Sequence, residues 1–221
     1  MAHGEALTQD EAGQTAGRSS DDGRMAALME RYCGGQVAAF HELYAALAPR
    51  ILGYLIGLAG DRATAEDLLQ LTFMKLHQAR STYVKGANPV PWLYTIAHRT
   101  CLDEMRRRKR AWVRVSSDGN LPYEPSVDIT GAADPQPSAD EAAIARGLAA
   151  LATLPAPLRQ AVLLTKIQGH SSAQAATIAG TTAGAIKVRA HRGYQALRRK
   201  LAGNMAETTA ESTTAPVVGT P

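Results

Sequence analysis

The sequence has few cysteines and no long uncharged apolar run. Cys33 and Cys101 are its only cysteines and form no CxxC pair, so we predict no zinc site and no disulfide framework, and expect both thiols to be packed in the core. The longest uncharged apolar run, Ile51 to Ala59, is far shorter than the ~20 residues that a membrane-spanning helix needs. We therefore expect a buried helix there.

A secretory signal and the common catalytic motifs are also missing. Residues 1–24 contain acids and no apolar segment, which predicts a cytoplasmic protein. His41-Glu42 is not followed by a second histidine in HExxH spacing, and the chain has no glycine-rich phosphate loop and no GxSxG. We expect no enzyme activity, no metal, no cofactor and no small-molecule substrate.

What is present is a globular composition with segregated charge. Of 221 residues, 45% are hydrophobic and 20% charged, which suits one domain or two small ones. The net charge of +4 hides two basic segments, 99–114 and 184–201, on either side of an acidic, proline-broken stretch at 115–141. Such a stretch cannot be helical throughout and is typical of a linker.

Apolar residues recur at helical spacing on both sides of this linker, and no segment alternates as a strand would. In the first half we predict two helices separated at Pro49, a third that begins with a Thr64/Asp67 capping box, and a fourth from about Trp92. In the second half a Ser171/Gln174 capping box opens a short helix, and Thr182 caps a long basic one. Short helix, glycine turn and long helix are typical of a helix-turn-helix.

The sequence thus predicts an all-α protein of two small helical domains joined by a flexible acidic linker, the second domain being a helix-turn-helix. The predicted boundaries are a disordered acidic tail at 1–24, a first domain at 25–114, the linker at 115–139, a second domain at 140–202 and a disordered tail at 203–221.

Two basic clusters are candidates for binding nucleic acid. Lys187, Arg189, His191 and Arg192 lie in the first half of the last predicted helix, where a recognition helix meets base edges and phosphates. The cations at 106–110 follow a helix whose start holds aromatic residues, an arrangement that suits stacking of single-stranded bases. A solvated basic face and, for Trp92, a core position are the alternatives.

Four segments resemble the extracytoplasmic-function (ECF) sigma factors of the sigma-70 family, in the family's order. They are Ala65-Glu66-Asp67-Leu68-Leu69-Gln70, Pro91-Trp92-Leu93-Tyr94-Thr95-Ile96-Ala97, Leu154-Pro155-Ala156-Pro157-Leu158-Arg159-Gln160-Ala161 and Gly184-Ala185-Ile186-Lys187-Val188-Arg189-Ala190-His191-Arg192. The resemblance covers roughly 25–112 and 140–202. Leu71 departs from it, since the family usually has an acid there.

The resemblance implies a first domain that binds core RNA polymerase and melts the −10 promoter element, and a second that reads the −35 element. Asp67 and Gln70 would face the polymerase. The −10 DNA would meet Asn88, which would capture a flipped base, together with His98, Arg99, Arg106 and Arg107. Lys187, Arg189, His191 and Arg192 would contact the −35 duplex. A further implied partner is an anti-sigma factor, often membrane-bound.

Two other functions remain open at this point. One is a sigma-like decoy that binds an anti-sigma factor, and the other is a plain helix-turn-helix transcriptional regulator. The second alternative would leave the Asp67–Gln70 segment and the aromatic-basic helix without a role.

Overall fold

Two groups of packed helices make up the part of the chain that the structure describes. The computed structural model describes residues 21–117, which we call the first unit, and 139–211, the second unit. All regular elements within these two ranges are helical. The predicted all-α class with two helical domains is confirmed. Most of the predicted linker and of the two predicted tails lies outside the described residues.

The first unit contains helices α1 (residues 21–33), α2 (Val37–Ala59), α3 (Arg62–Ala79) and α4 (Pro89–Ser117), with a 3₁₀ turn at Arg80–Thr82 after α3. The second unit contains α5 (Ala139–Ala152), α6 (Ala156–Val162), a π turn (Leu163–Ile167) that continues α6, α7 (Ser172–Ala179) and α8 (Ala183–Glu211). Residues 21–24 and 203–211, predicted as parts of disordered tails, are therefore helical.

Helix α2 is the centre of the first unit. Its buried residues include Leu43, Leu47, Ile51 and Leu55, against which the other three helices pack. Among the described helices, α2 alone has the length and apolar composition to cross a membrane, and 44% of that stretch is buried inside the protein. It serves here as a core helix.

Pro49 does not divide α2 into two helices, contrary to the sequence prediction. A proline removes one backbone donor and crowds the preceding turn. Here Leu47 and Ile51, on either side of it, are both buried in the same core. Burial of one continuous apolar face therefore outweighs the lost hydrogen bond.

The helix starts in the first unit also differ from prediction. Asp61, not Thr64, caps α3: its carboxylate accepts a hydrogen bond from the backbone N–H of Thr64 at 2.7 Å. Helix α4 begins at Pro89 rather than near Trp92, because a proline at the first helical position has no donor to lose.

Several apolar residues are exposed, among them one of the two thiols that were predicted to be packed. Cys33 is exposed whereas Cys101 is buried, so the prediction of two packed thiols holds for one of them. In the second unit Ile144, Ile167 and Tyr194 are 63%, 54% and 49% exposed. Next to Tyr194 the buried Gly193 takes the packing position, and a Cβ there would lie 2.7 Å from Val162 Cγ2 on α6.

Candidate nucleic-acid interface

The helix-turn-helix is built as its capping residues predict. Ser171 Oγ accepts from the N–H of Gln174 at 3.1 Å, and Gln174 Oε1 accepts from the N–H of Ser171 at 3.0 Å, which confirms the capping box. Gly180 ends α7 with a φ of 63°, in the left-handed region that favours glycine. Thr182 Oγ1 accepts from the N–H of Ala185 at 3.2 Å and so fixes the start of α8.

Helix α8 presents its basic residues to solvent and its small apolar residues to the core. Ile186 and Ala190 are buried against the rest of the second unit. Lys187, His191 and Arg192 are exposed on the opposite side, and Arg189 is half-buried at its flank. Three of the four predicted −35 residues thus lie on the outward side of one helix, with Arg189 at its flank, an arrangement that suits a recognition helix.

Two further residues lie on this outward side and were not predicted. Val188 is 50% exposed between the basic residues, and Gln195 hydrogen-bonds to His191 Nε2 at 2.9 Å. A helical wheel drawn from Ile186 would have revealed both, since 188, 191, 192 and 195 share one face at 100° per residue. An exposed valine can contact a thymine methyl group, and a glutamine can pair with adenine.

The arginine run on α4 is partly neutralised by its own helix. Arg107 donates two hydrogen bonds to Glu104 at 2.7 Å, and Arg108 donates one at 3.0 Å. These bonds, above all those from Arg107, lower the pKa of Glu104 to about 2, so this carboxylate is charged at any physiological pH. Arg106 pairs with Asp103 at 3.6 Å. Within the described residues, Lys109 and Arg110 have no ion pair.

The start of α4 holds a half-exposed aromatic pair. The rings of Tyr83 and Trp92 lie 5.9 Å apart. Tyr94, the third aromatic residue near this start, is fully buried and cannot stack on a base in this arrangement. Asn88 caps α4, because its Oδ1 accepts from the N–H of Val90 at 2.9 Å.

Arg99 and Arg106 both lie exposed on α4, about two and about four turns beyond Trp92. His98 differs from them: it is 5% exposed and hydrogen-bonds to Tyr54 at 3.2 Å and to Gln160 of the second unit at 3.0 Å. Burial, followed by the neighbouring charge of Arg99, lowers the pKa of His98 to about 4. Of the residues predicted to meet one DNA strand, Arg99 and Arg106 are therefore accessible, whereas His98 is buried.

Helix α3 carries a separate exposed stripe. Asp67, Gln70, Leu71 and Met74 follow one another at i, i+3, i+4 and i+7, and all four are exposed. Leu71 and Met74, at 39% and 49% exposed, add apolar surface beside the two predicted polar residues. The stripe lies on a helix of its own, apart from the basic residues of α4 and α8.

The described residues offer no metal centre, since no three His, Cys, Asp or Glu side chains among them lie close enough to hold an ion. The arrangement instead offers two basic helical surfaces and one mixed polar-apolar stripe. Surfaces of these kinds suit macromolecular partners.

Comparison with known protein families gives two matches. Residues 43–111 match sigma-70 region 2, and residues 148–197 match sigma-70 region 4. Among individual proteins, the chain is 35% identical to the RNA polymerase sigma factor CarQ of Myxococcus xanthus over 174 residues, which cover 78% of this chain and 95% of CarQ. It is 34% identical to the ECF RNA polymerase sigma factor SigF of Caulobacter vibrioides over 180 residues, which cover 80% and 94%.

Two solved structures share the fold. The sigma factor RpoE of Bartonella quintana, solved in complex with the anti-sigma factor NepR, superposes with a TM-score of 0.61 at 28% identity, over 73% of this chain and 96% of RpoE. CnrH, solved in complex with the cytosolic domain of CnrY, has a TM-score of 0.61 at 19% identity, over 81% and 98%. The second likeness concerns the fold alone.

Proposed function

The chain belongs to the ECF sigma factors of the sigma-70 family, and from this premise we propose which of its residues carry out polymerase binding and promoter recognition. As a sigma factor it directs core RNA polymerase to promoters and is not an enzyme. The observation that carries the assignment is the presence of regions 2 and 4 in order on one chain, the latter with an outward basic recognition helix.

We assign the core-polymerase contact to the exposed stripe of α3. Asp67 and Gln70 supply the polar groups, and the adjacent Leu71 and Met74 supply apolar area that a partner would bury. A mixed patch of this kind, with apolar residues beside a few directed polar groups, is typical of a protein interface.

The −10 element is assigned to α4 and the loop before it. Arg99, Arg106 and Arg107 would hold the DNA backbone by charge, with Tyr83 and Trp92 as a stacking surface for unpaired bases. Asn88 and His98 complete the proposed set. In the arrangement described here Asn88 is engaged as a helix cap and His98 is buried, so both must change partners before they can touch DNA.

The −35 element is assigned to the outward face of α8. Lys187, Arg189, His191 and Arg192 would contact base edges and phosphates of the major groove, with Val188 as an apolar contact between them. We propose region boundaries of about 25–114 for the −10 and polymerase unit and about 140–202 for the −35 unit. The linker between them, predicted at 115–139, has helical ends, since α4 extends to Ser117 and α5 begins at Ala139.

We also infer cytoplasmic location, where the polymerase and the promoters are, and control by an anti-sigma factor. The solved complex of the related RpoE with an anti-sigma factor supports such a partner. Copurification from the native host should recover it, and repeated recovery of free, active protein would argue against it.

In vitro transcription tests the function directly. Core RNA polymerase with and without this protein is given genomic DNA of the native host, and the 5′ ends of the transcripts are sequenced. We expect start sites that require the protein and share two upstream motifs. Start sites identical to those of core enzyme alone would refute the assignment and leave a decoy or a plain regulator.

The same assay tests the recognition helix. If Lys187 or Arg192 reads a base edge, its replacement by Ala should weaken binding to the upstream motif by about 1–3 kcal/mol. The start sites should then also show a relaxed preference at one base pair of that motif. Arg198→Ala is the matched control further along α8, where a phosphate contact at most is expected, so its loss should weaken all promoters alike.

A further inference from the structure

Helix α1 is attached by a side-chain hydrogen bond to the loop that precedes α4, residues 83–88. Glu30 Oε1 accepts a hydrogen bond from the backbone N–H of Gly86 at 2.8 Å, although the two residues are 56 positions apart in sequence. Among the described residues, this is the one hydrogen bond that joins the middle of the loop to another helix. Within the same ranges no cation pairs with Glu30, so its carboxylate serves the loop alone.

The loop contains a tight turn that leaves the Gly86 N–H without a partner inside the loop. The N–H of Ala87 donates to the carbonyl of Val84 at 3.0 Å, which closes a four-residue turn. Gly86 is the third residue of this turn, and its φ of 79° is the value that a type II turn requires there. The turn uses the N–H of its fourth residue and not that of its third. Glu30 supplies the acceptor that the turn lacks.

Glu30 occupies a position that its own helix does not favour for an acid. Helix α1 ends at residue 33, so Glu30 lies in its last turn. The carboxyl end of a helix carries partial negative charge, and a carboxylate placed there is destabilising. The stability of α1 therefore does not explain this acid. A hydrogen bond from a backbone N–H to a carboxylate is among the stronger kinds, and it does explain the acid.

Helix α1 is itself held firmly and can therefore fix the place of the loop. Its inward side chains are buried in the core of the first unit, among them Met25, Leu28 and Met29. Just beyond Glu30, the Tyr32 hydroxyl hydrogen-bonds to His77 Nδ1 of α3 at 2.5 Å. Cys33 Sγ then donates to the carbonyl of Arg80 at 3.4 Å. The end of α1 is thus attached to the end of α3 as well as to the loop.

The loop carries two residues of the proposed −10 site, one at each end. The Tyr83 ring lies 5.9 Å from that of Trp92, and the Tyr83 hydroxyl donates to the carbonyl of Ala87. Asn88 caps α4 and gives up this cap when it meets a base, as the proposed function requires. The bond from Gly86 to Glu30 does not depend on that cap. It therefore still holds the loop backbone when the Asn88 side chain turns to DNA.

We propose that Glu30 is a positioning residue for promoter recognition, whose bond to the Gly86 N–H sets the place of the loop 83–88 and thereby the base preference at the −10 position that Asn88 meets. Side chains that support a binding group from behind determine how precisely that group is held. Glu30 acts from α1 through the loop. The bond follows from the contacts alone, whereas its effect on base preference rests on the proposed −10 role of Asn88.

Four variants of the full-length protein separate the hydrogen bond from the charge. Glu30→Gln loses the charge but keeps an oxygen that can accept the bond, whereas Glu30→Asp keeps the charge on a side chain that is one methylene shorter. Glu30→Ala loses both. Glu42→Ala is the matched control, because Glu42 is an exposed acid that pairs with Arg31 of α1 at 3.7 Å and not with the loop. Circular dichroism shows whether each variant folds, and Glu30→Asp alone carries the test if Glu30→Ala does not.

Hydrogen exchange of the Gly86 amide, followed by NMR, tests the bond directly. We expect slow exchange in the wild type, Glu30→Gln and Glu42→Ala. Exchange should be about tenfold faster in Glu30→Ala and Glu30→Asp, because the amide then lacks its acceptor. An equal rate in the wild type and in both of these variants would refute the bond and the proposal with it.

Transcription with core RNA polymerase tests the positioning role. The templates carry each of the four bases in turn at every position of the downstream promoter motif, and Asn88→Ala identifies the position that the loop reads. There Glu30→Ala and Glu30→Asp should discriminate among the bases about tenfold less than the wild type, while Glu30→Gln and Glu42→Ala remain close to it. In an Asn88→Ala background, Glu30→Ala should cause no further loss, because it acts only through the loop.

Two results would overturn the positioning role. One is a base preference that stays unchanged in Glu30→Ala although its Gly86 amide exchanges faster, and the other is an equal loss in Glu30→Gln and Glu30→Ala while Glu30→Gln keeps the amide protected. If Asn88→Ala itself leaves the base preference unchanged, the proposed −10 role of Asn88 fails and the positioning role fails with it. The exchange rate of Gly86 then still shows whether Glu30 holds the loop.

Discussion

His98 shows how one residue's surroundings determine its protonation. Its ring is 5% exposed, and burial, followed by the charge of Arg99, lowers its pKa from 6.5 to about 4. It is therefore neutral at pH 7, as its hydrogen bond from Gln160 requires. A cation at this position would lose that bond and have no acid to pair with among the residues that contact it.

This pKa predicts a loss of stability in mild acid. The unfolded chain takes up a proton on His98 below pH 6.5 and the folded chain does so only near pH 4, so stability present above pH 6.5 is lost as the pH falls toward 4. Between pH 7 and pH 5 the loss from this group is about 2 kcal/mol. Urea unfolding of the wild type and of His98→Gln at both pH values measures it. An equal pH dependence in the two proteins would contradict it, since the other histidines are common to both.

The exposure of Val188 gives a prediction about which base the recognition helix contacts. It is 50% exposed on the outward face of α8, where a thymine methyl is the natural apolar partner. Replacing one thymine of the −35 duplex by uracil removes that methyl, which is worth about 0.8 kcal/mol or roughly fourfold in affinity. Anisotropy with singly substituted duplexes should find one sensitive position, and Val188→Ala should be insensitive there. If Val188→Ala is as sensitive to the uracil substitution as the wild type, Val188 does not contact that methyl group.

At the scale of the element, α3 separates the face that packs in the core from the face proposed to bind the polymerase. Leu68, Leu69 and Leu76 are buried, while Asp67 and Gln70 are exposed on the other side. Substitution of exposed polar residues usually changes stability by less than about 0.5 kcal/mol. Binding and folding can therefore be changed independently on this helix.

We expect Asp67→Ala with Gln70→Ala to weaken binding to core RNA polymerase while the thermal unfolding of the protein stays within a few degrees of the wild type. Glu66→Ala is the matched control, because Glu66 is exposed on the same helix but pairs with Arg62 at 2.8 Å. Quantitative pull-down with core enzyme decides. If the folded double variant binds core enzyme as tightly as the wild type, the assignment of the polymerase contact to this stripe is wrong.

Elements with local causes were predictable from the sequence. The α7–α8 pair follows from the Ser171 and Thr182 caps and from Gly180, all of which act within a few residues. The continuity of α2 through Pro49 was not predictable, because it depends on a core formed by the whole first unit. The burial of His98 was not predictable either, since Gln160 lies 62 residues away in sequence. Local chemistry fixes helix ends, whereas exposure depends on distant partners.

At the scale of the whole molecule, the contact between the units couples their stabilities. Each unit has its own buried residues, but two residues of the second unit also contact the first. Gln160 donates a hydrogen bond to His98 at 3.0 Å, and Leu163 packs so closely on Gly57 of α2 that a Cβ there would lie 2.6 Å from Leu163 Cδ2. Loss of this contact should affect mainly the smaller second unit. A domain of 60–100 residues loses roughly 4–8 °C in Tm for each kcal/mol.

Differential scanning calorimetry should therefore show one cooperative transition for the wild type and two for Gly57→Leu, the lower one belonging to the second unit. Gly53→Leu should retain a single transition, since its side chain enters open space. Two transitions in the wild type would mean that the units unfold independently even when packed against each other.

At Gly57 the stability of helix α2 and the packing of the two units favour different residues. A glycine inside a helix costs about 0.5–1 kcal/mol relative to alanine, so a screen for heat resistance of the first unit alone would favour Gly57→Ala. The added methyl would lie 2.6 Å from the Leu163 methyl and force it to move. A laboratory selection for a more stable first unit would then enrich a variant in which α2 and the π turn no longer pack as closely.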